Sequence, residues 1–223
     1  MTAAADRLLL ISDVARVGEL PFLRAVEDAT AAGLTRVLLR EPDVTPPGLE
    51  SLVESLVPLV GREGLGLSIH PHAASAEGRL ELARREELGF LHVGRCPAAK
   101  VAEVRGARPG IRIGYSSHDI ESAAQAFESG ADYVTLSPVF SPSSKTIEGA
   151  TLGVDSLRNA IAAVDATLGR SREVWGLGGV SEGNASEVLD AGASGVAVIG
   201  AILDADDVQA ATRALLAVLG RRD

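Results

Sequence analysis

The residues best suited to chemistry in this 223-residue chain stand directly after short apolar runs. Two such runs close in glycine, the first at Gly178-Gly179 and the second, through Ile199, at Gly200. Glycine at these points lets the backbone approach a ligand with its N–H groups unobstructed. With a helical turn starting at Ala201, the two ends read as a phosphate cradle; tight strand-to-helix turns are the plainer alternative. Other run ends supply Arg40 and Glu41, then His70 and His72, then His92, Arg95 and Cys96. Ser116, Ser117 and His118 follow, and after them Ser137, Ser143, Ser144 and Lys145. Arg40 and Lys145 suit a phosphate or carboxylate, one as a bidentate fork and one as a point charge. An arginine so placed is equally suited to pair with a neighbouring carboxylate. His118 can move a proton near neutral pH, or merely cap the helix that begins beside Asp119. His70, His72, His92 and Cys96 offer nitrogen and sulfur ligands, but their spacing matches no zinc pattern, and packing or exposure explains them as well.

Those residues need elements to position them. Apolar runs of strand length recur at Leu8–Ile11, Arg36–Leu39, Gly66–Ile69 and Phe90–Val93. Four more lie at Arg112–Tyr115, Tyr133–Leu136, Glu173–Leu177 and Gly195–Ile199. Most lack alternation, as strands buried on both faces do. Helical patterns separate them at Leu20–Ala32, Pro47–Val60, Ile120–Ser129, Leu157–Leu168, Ala185–Ala191 and Asp207–Leu219. Gly33, Gly130, Gly169, Gly192 and Gly220 stand where a left-handed cap would close a helix. Eight strands alternating with helices predict an α/β fold, a single (β/α)8 TIM barrel over residues 1–223. A Rossmann or flavodoxin-like sheet needs fewer units and an early glycine fingerprint, which is absent. In a barrel the run ends share the carboxyl face, where catalytic groups collect. The stretch Ser137–Gly153, rich in Ser, Pro, Thr and Gly, reads as a substrate-covering flap there, or as a disordered insertion.

Composition narrows the partners. At 46% hydrophobic the chain can bury a sizeable core as one domain. A net charge of −9 argues against nucleic acid and anionic membranes, while leaving room for a local basic site. Aromatic content of 3% supplies little material for stacking bases. Cys96 is the single cysteine, which rules out an intrachain disulfide. No run approaches a membrane span and the first residues lack a basic signal-peptide start, so a cytoplasmic location is expected.

Several motifs together resemble the thiamine phosphate synthase family and its thiazole-tautomerase (TenI-like) relatives, across nearly the whole chain. They are VLLRE (Val37 to Glu41), IGYSSH (Ile113 to His118) and GADYVTLSPVFSPSSK (Gly130 to Lys145). GLGGV (Gly176 to Val180) and GASGVAVIGAI (Gly192 to Ile202) complete the set. The resemblance implies a (β/α)8 barrel. Synthases of the family couple hydroxymethylpyrimidine pyrophosphate to thiazole phosphate with magnesium; tautomerases shift a proton in thiazole phosphate carboxylate without metal. The synthase pattern Arg-Glu-Lys becomes Arg40-Glu41-Pro42, and its Asn-Asp pair becomes His70-Pro71. The second magnesium aspartate has no counterpart in His92-Val93-Gly94-Arg95-Cys96-Pro97. Two flap threonines are Pro142 and Ser144, while Lys145 is kept. By resemblance, Gly178, Gly179, Ile199 and Gly200 hold the phosphate, Arg40, Ser116 and Lys145 bind substrate, and His118 is the acid/base. The reading is therefore a TenI-like enzyme taking a small phosphorylated heterocycle, thiazole phosphate or thiamine phosphate. It carries no metal site and no cofactor, magnesium being required only by a retained synthase activity, and it is compatible with a homodimer. A thiamine phosphate synthase, and a non-catalytic regulatory barrel that binds the same ligands, are the alternatives.

Overall fold

A computed structural model describes residues 4–70, 81–94, 96–141, 151–169 and 171–220. A 3-10 turn at Ala4–Arg7 leads into β1 (Leu8–Ile11), β2 (Arg36–Leu39), β3 (Gly66–Ile69) and β4 (Leu88–Val93). β5 (Arg112–Ser117), β6 (Tyr133–Leu136), β7 (Glu173–Leu177) and β8 (Gly195–Val198) follow. Each strand pairs in parallel with the next, and β8 pairs with β1, so these eight form a closed barrel. The (β/α)8 expectation holds.

Most strand residues are buried on both faces. Successive side chains alternate between barrel interior and helix layer. The interior set is Leu9, Ile11, Leu38, Phe90, Tyr133, Trp175 and Ala197. The other face of each strand packs against the helices in a larger continuous core. Those helices are α1 (Val14–Val17), α2 (Glu19–Ala31), α3 (Pro46–Glu63), α4 (Lys100–Ala107) and α5 (Ile120–Glu128). α6 (Gly153–Leu168), α7 (Ala185–Asp190), α8 (Gly200–Leu203) and α9 (Val208–Leu219) complete the described set. Asp119 and Asp207 open α5 and α9 by accepting backbone N–H bonds from Ser122 (2.7 Å) and Ala210 (2.8 Å).

Two boundaries differ usefully from expectation. β5 continues two residues past Tyr115, because Ser116 and Ser117 pair with Thr135 and Leu136 of β6. α6 begins four residues before Leu157. Gly33, Gly130, Gly169 and Gly192 adopt positive φ, but Gly220 does not (φ −85°) and ends α9 in right-handed geometry. No helix among the described residues is long and apolar enough to cross a membrane.

The long connection after β6 is anchored at both ends. Val139 N–H donates to Leu177 O (2.8 Å) and Phe140 N–H to Gly178 O (3.0 Å), so its first residues run beside the end of β7. Its return is tied back by Leu152 N–H to Pro138 O (2.9 Å) and Gly153 N–H to Val139 O (3.0 Å). The rest of the flap, including Ser143, Ser144 and Lys145, lies outside the described residues, as do His72 and Arg95.

Candidate functional site

Strand alternation carries His92 of β4, Ser116 of β5 and Tyr133 of β6 into the barrel interior together. The imidazole of His92 is fully buried, with Nδ1 3.0 Å from the Tyr133 hydroxyl and Nε2 2.9 Å from Ser116 Oγ. Burial, followed by the charges of His70 and Arg40, pushes His92 down to about 3, so the ring is neutral at neutral pH. Burial also raises the Tyr133 phenol above its ordinary value and keeps it protonated. A neutral imidazole has one donor and one acceptor. The Tyr133 phenol and the Ser116 hydroxyl can each donate or accept, so the two between them satisfy the one donor and the one acceptor of the His92 ring.

Gly114 makes this arrangement sterically feasible. A Cβ there would overlap Tyr133 Cζ and lie 2.5 Å from His92 Nδ1. His92 therefore belongs to a buried hydrogen-bonded line, with both ring nitrogens engaged, which accounts for it without metal. Cys96 is half-buried; its carbonyl accepts from Tyr115 OH (2.7 Å), and burial pushes its thiol up. Among the described residues no group of three or more His, Cys, Asp or Glu is placed to hold a metal ion.

His118 is exposed at the end of β5, with Nδ1 2.8 Å from Ser137 O and 3.3 Å from Ser137 Oγ. A carbonyl only accepts, so Nδ1 carries a proton, and in the neutral form of the ring Nε2 is the atom with the lone pair. Capping of α5 is done by Asp119, so the helix-cap alternative for His118 is set aside. Ser137 precedes a cis Ser137–Pro138 peptide and is buried at the root of the flap.

Arg40 continues the inward alternation of β2; its backbone N–H donates to buried Ser12 Oγ (2.9 Å). Its charge contributes to lowering His92. Glu41 is buried and accepts the Val14 N–H that opens α1 (2.9 Å). His70 is buried beside Gly94, where an added Cβ would come within 3.0 Å of both its Nε2 and Ser116 Oγ.

The glycine cradle is more crowded than its residue types suggest. Gly178 and Gly179 have φ of +98° and +60°. A Cβ at Gly178 would lie 2.8 Å from Pro138 Cα, and one at Gly179 2.7 Å from Ser141 O. The approach of the flap root by itself requires glycine at both positions. At Gly200 a Cβ would lie 2.5 Å from Asp204 Oδ2. That carboxylate is ion-paired with Arg16, which also holds Asp13 at 2.7 Å. The Arg16–Asp204 pair links the β1 and β8 ends of the rim, with Ile199 as the residue before α8. Tyr133 and Arg16 are the two residues that reading by run ends misses. Tyr133 opens its strand rather than ending it, and Arg16 lies in a four-residue helix without apolar periodicity.

Known proteins are similar to this chain in sequence and fold. The family model described as thiamine monophosphate synthase matches residues 8–202. A thiamine-phosphate synthase of Roseiflexus castenholzii is 34% identical over 215 residues, covering 96% of this chain and 88% of the relative. A putative thiamine-phosphate synthase of Geobacter sulfurreducens is 36% identical over 217 residues, covering 96% and 95%. Among solved structures, thiamine phosphate pyrophosphorylase from Pyrococcus furiosus superposes with a TM-score of 0.79 at 23% identity, covering 97% of this chain and 96% of that one. That last likeness is one of fold.

Proposed function

This chain belongs to the thiamine monophosphate synthase family, and from that premise we propose that it is a tautomerase-type enzyme of thiamine biosynthesis that binds a thiazole phosphate and moves a proton on its ring. The observation that carries this reading is His118, whose Nδ1–H is held on the Ser137 carbonyl so that Nε2 is the basic atom. Nε2 accepts the proton from a ring carbon; the imidazolium, still held by Ser137 O, returns it to the other end of the conjugated system. The ring becomes aromatic and no atom is gained or lost. The Ser116 hydroxyl, oriented by His92 and Tyr133, donates to a ring heteroatom or carboxylate. Arg40 supplies positive charge at the rim, and Lys145 is the second cation of the proposal. The amides about Gly178, Gly179, Ile199 and Gly200 face the phosphate.

Among the described residues magnesium fits poorly. It requires oxygen ligands, commonly carboxylates. The ends of β3 and β4 offer His70, Gly94 and Cys96, and the nearby carboxylate of Glu41 is taken up by Val14 N–H. No step is therefore routed through the metal. A synthase reading draws its support from the names of the 34% and 36% identical relatives. The test is to supply the non-aromatic tautomer of thiazole phosphate carboxylate and follow aromatisation by absorbance with magnesium chelated. Turnover lowered by roughly 10²–10⁴-fold in His118→Ala is expected. Thiamine phosphate made only with magnesium and hydroxymethylpyrimidine pyrophosphate would support the synthase instead, and ligand binding without either turnover would support a regulatory barrel.

A further inference from the structure

At the end of the barrel opposite His118, the strand beginnings enclose a cavity of about 290 Å³. Three interior rings line it: Phe90, Tyr133 and Trp175, in tilted contact with centroids 6.5 Å (Phe90–Tyr133) and 5.8 Å (Tyr133–Trp175) apart. Two guanidinium groups close the mouth, Arg36 over the Trp175 ring at 5.7 Å and Arg112 over the Tyr133 ring at 5.0 Å. Barrel interiors are ordinarily filled by side chains to crystal-like density. Here Gly66 opens β3 with no side chain to fill the space.

Arg36 and Arg112 supply the positive charge of this wall. Trp175 Nε1 and Arg112 Nε are buried and meet no hydrogen-bond acceptor among the described residues. Each guanidinium already has one carboxylate on its outer side, Asp6 at 3.3 Å for Arg36 and Glu173 for Arg112. Even so, the two cations repel one another: burial first, then the charge of Arg112, lowers Arg36 from its ordinary value. An anionic oxygen group between them relieves that repulsion, and a flat apolar body matches the three rings.

We propose that the amino-terminal mouth of the barrel is a second ligand site, separate from the carboxyl-face site, that takes a small aromatic carboxylate between Arg36 and Arg112 with its ring against Phe90, Tyr133 and Trp175. The volume sits at the lower end of small-molecule pockets, which limits the ligand to a single ring or a compact bicycle.

Trp175 is the sole tryptophan of the chain, so its fluorescence reports this site alone. Benzoate is the probe and benzamide its uncharged counterpart. The expected result is a saturable change in Trp175 emission with benzoate, and at least about ten-fold weaker binding of benzamide, the loss of a charge-assisted pair. Arg112→Gln weakens benzoate by a similar factor, whereas Glu173→Gln, which frees Arg112 from its carboxylate, tightens it. His118→Ala leaves the benzoate affinity unchanged. The opposite signs of the two variants on one guanidinium separate ligand binding from a structural role. Absence of a saturable change, equal binding of benzamide, or weaker binding in Glu173→Gln overturns the proposal. Should Arg112→Gln not fold, Glu173→Gln alone decides it.

Discussion

The Tyr133 hydroxyl lies 3.0 Å from His92 Nδ1 inside the closed barrel, and through Nε2 the same imidazole reaches Ser116 Oγ at 2.9 Å. A residue that opens β6 thus orients a hydroxyl near the end of β5. Deleting the phenol oxygen tests the connection. Tyr133→Phe leaves a buried ring nitrogen without its hydrogen-bond partner, at a cost of about 1–3 kcal/mol. In a chain of this size each kcal/mol lowers Tm by roughly 2–4 °C, measurable by calorimetry. Turnover should fall as well, and Ser116→Ala, which strips the other ring nitrogen of its partner, should likewise lower both turnover and stability.

Gly114 permits that contact, so a single methyl group there should break it. Gly114→Ala drives a carbon into Tyr133 and His92 and should destabilise by about 1–3 kcal/mol, read from the urea midpoint. Gly106→Ala, where an added Cβ meets nothing within 4 Å, is the control and should leave the midpoint at or slightly above that of the parent chain.

His92 also makes stability depend on pH in a definite direction. Its folded value is depressed to about 3, against about 6.5 when unfolded. Between these limits the unfolded chain binds the extra proton, so the contribution is fully present above about pH 6.5. It is lost as pH falls toward 3, at about 1.4 kcal/mol per pH unit. The stability difference between the parent and His92→Asn should shrink on acidification across that window; a difference constant from pH 7 to pH 4 would contradict the assignment.

At the rim, the Asp204 carboxylate lies where a side chain at Gly200 would stand, held by Arg16. A phosphate bound at the end of β8 meets that negative charge. Asp204→Asn should therefore tighten thiazole phosphate by roughly five-fold in a low-salt titration, with the gain fading as salt rises. The stability change should stay below about 1 kcal/mol, because both partners are partly solvated.

His118 tests the proton-transfer reading without disturbing the fold. Its side chain is exposed, so His118→Ala should leave Tm within about one degree while lowering turnover by roughly 10²–10⁴-fold. Ser137→Ala keeps the carbonyl that holds Nδ1 and should retain most of the activity.

Much of this molecule was legible along the chain because its signals are local. Unbroken apolar runs mark strands buried on both faces, and five of the eight strands have the bounds their sequences suggest: β1, β2, β3, β6 and β7. The run ends likewise pointed to Arg40, Ser116 and His118, since in a barrel every strand end reaches one face. β5 runs longer than its apolar stretch, because Ser116 and Ser117 are held by pairing with Thr135 and Leu136 of β6, each 19 residues further along the chain (135 − 116 and 136 − 117). Gly220 reads as a left-handed cap by type, yet α9 ends without one. Tyr133 could have been found by extending the inside–outside alternation across neighbouring strands, since it shares a face with His92 and Ser116. What residue types alone could not decide was spacing between strands. Whether Gly178 and Gly179 make room for a ligand or for the flap root depends on where residues 138–141 pass, and they pass within 3 Å. Barrel closure sets those distances, and it also gathers Arg36, Arg112 and Trp175 around a cavity that no stretch of sequence contains. The chain by itself determined the family, the strand order and the carboxyl-face candidates; through-space packing decided which hydroxyl is oriented, which glycines are crowded, and where the barrel stays hollow.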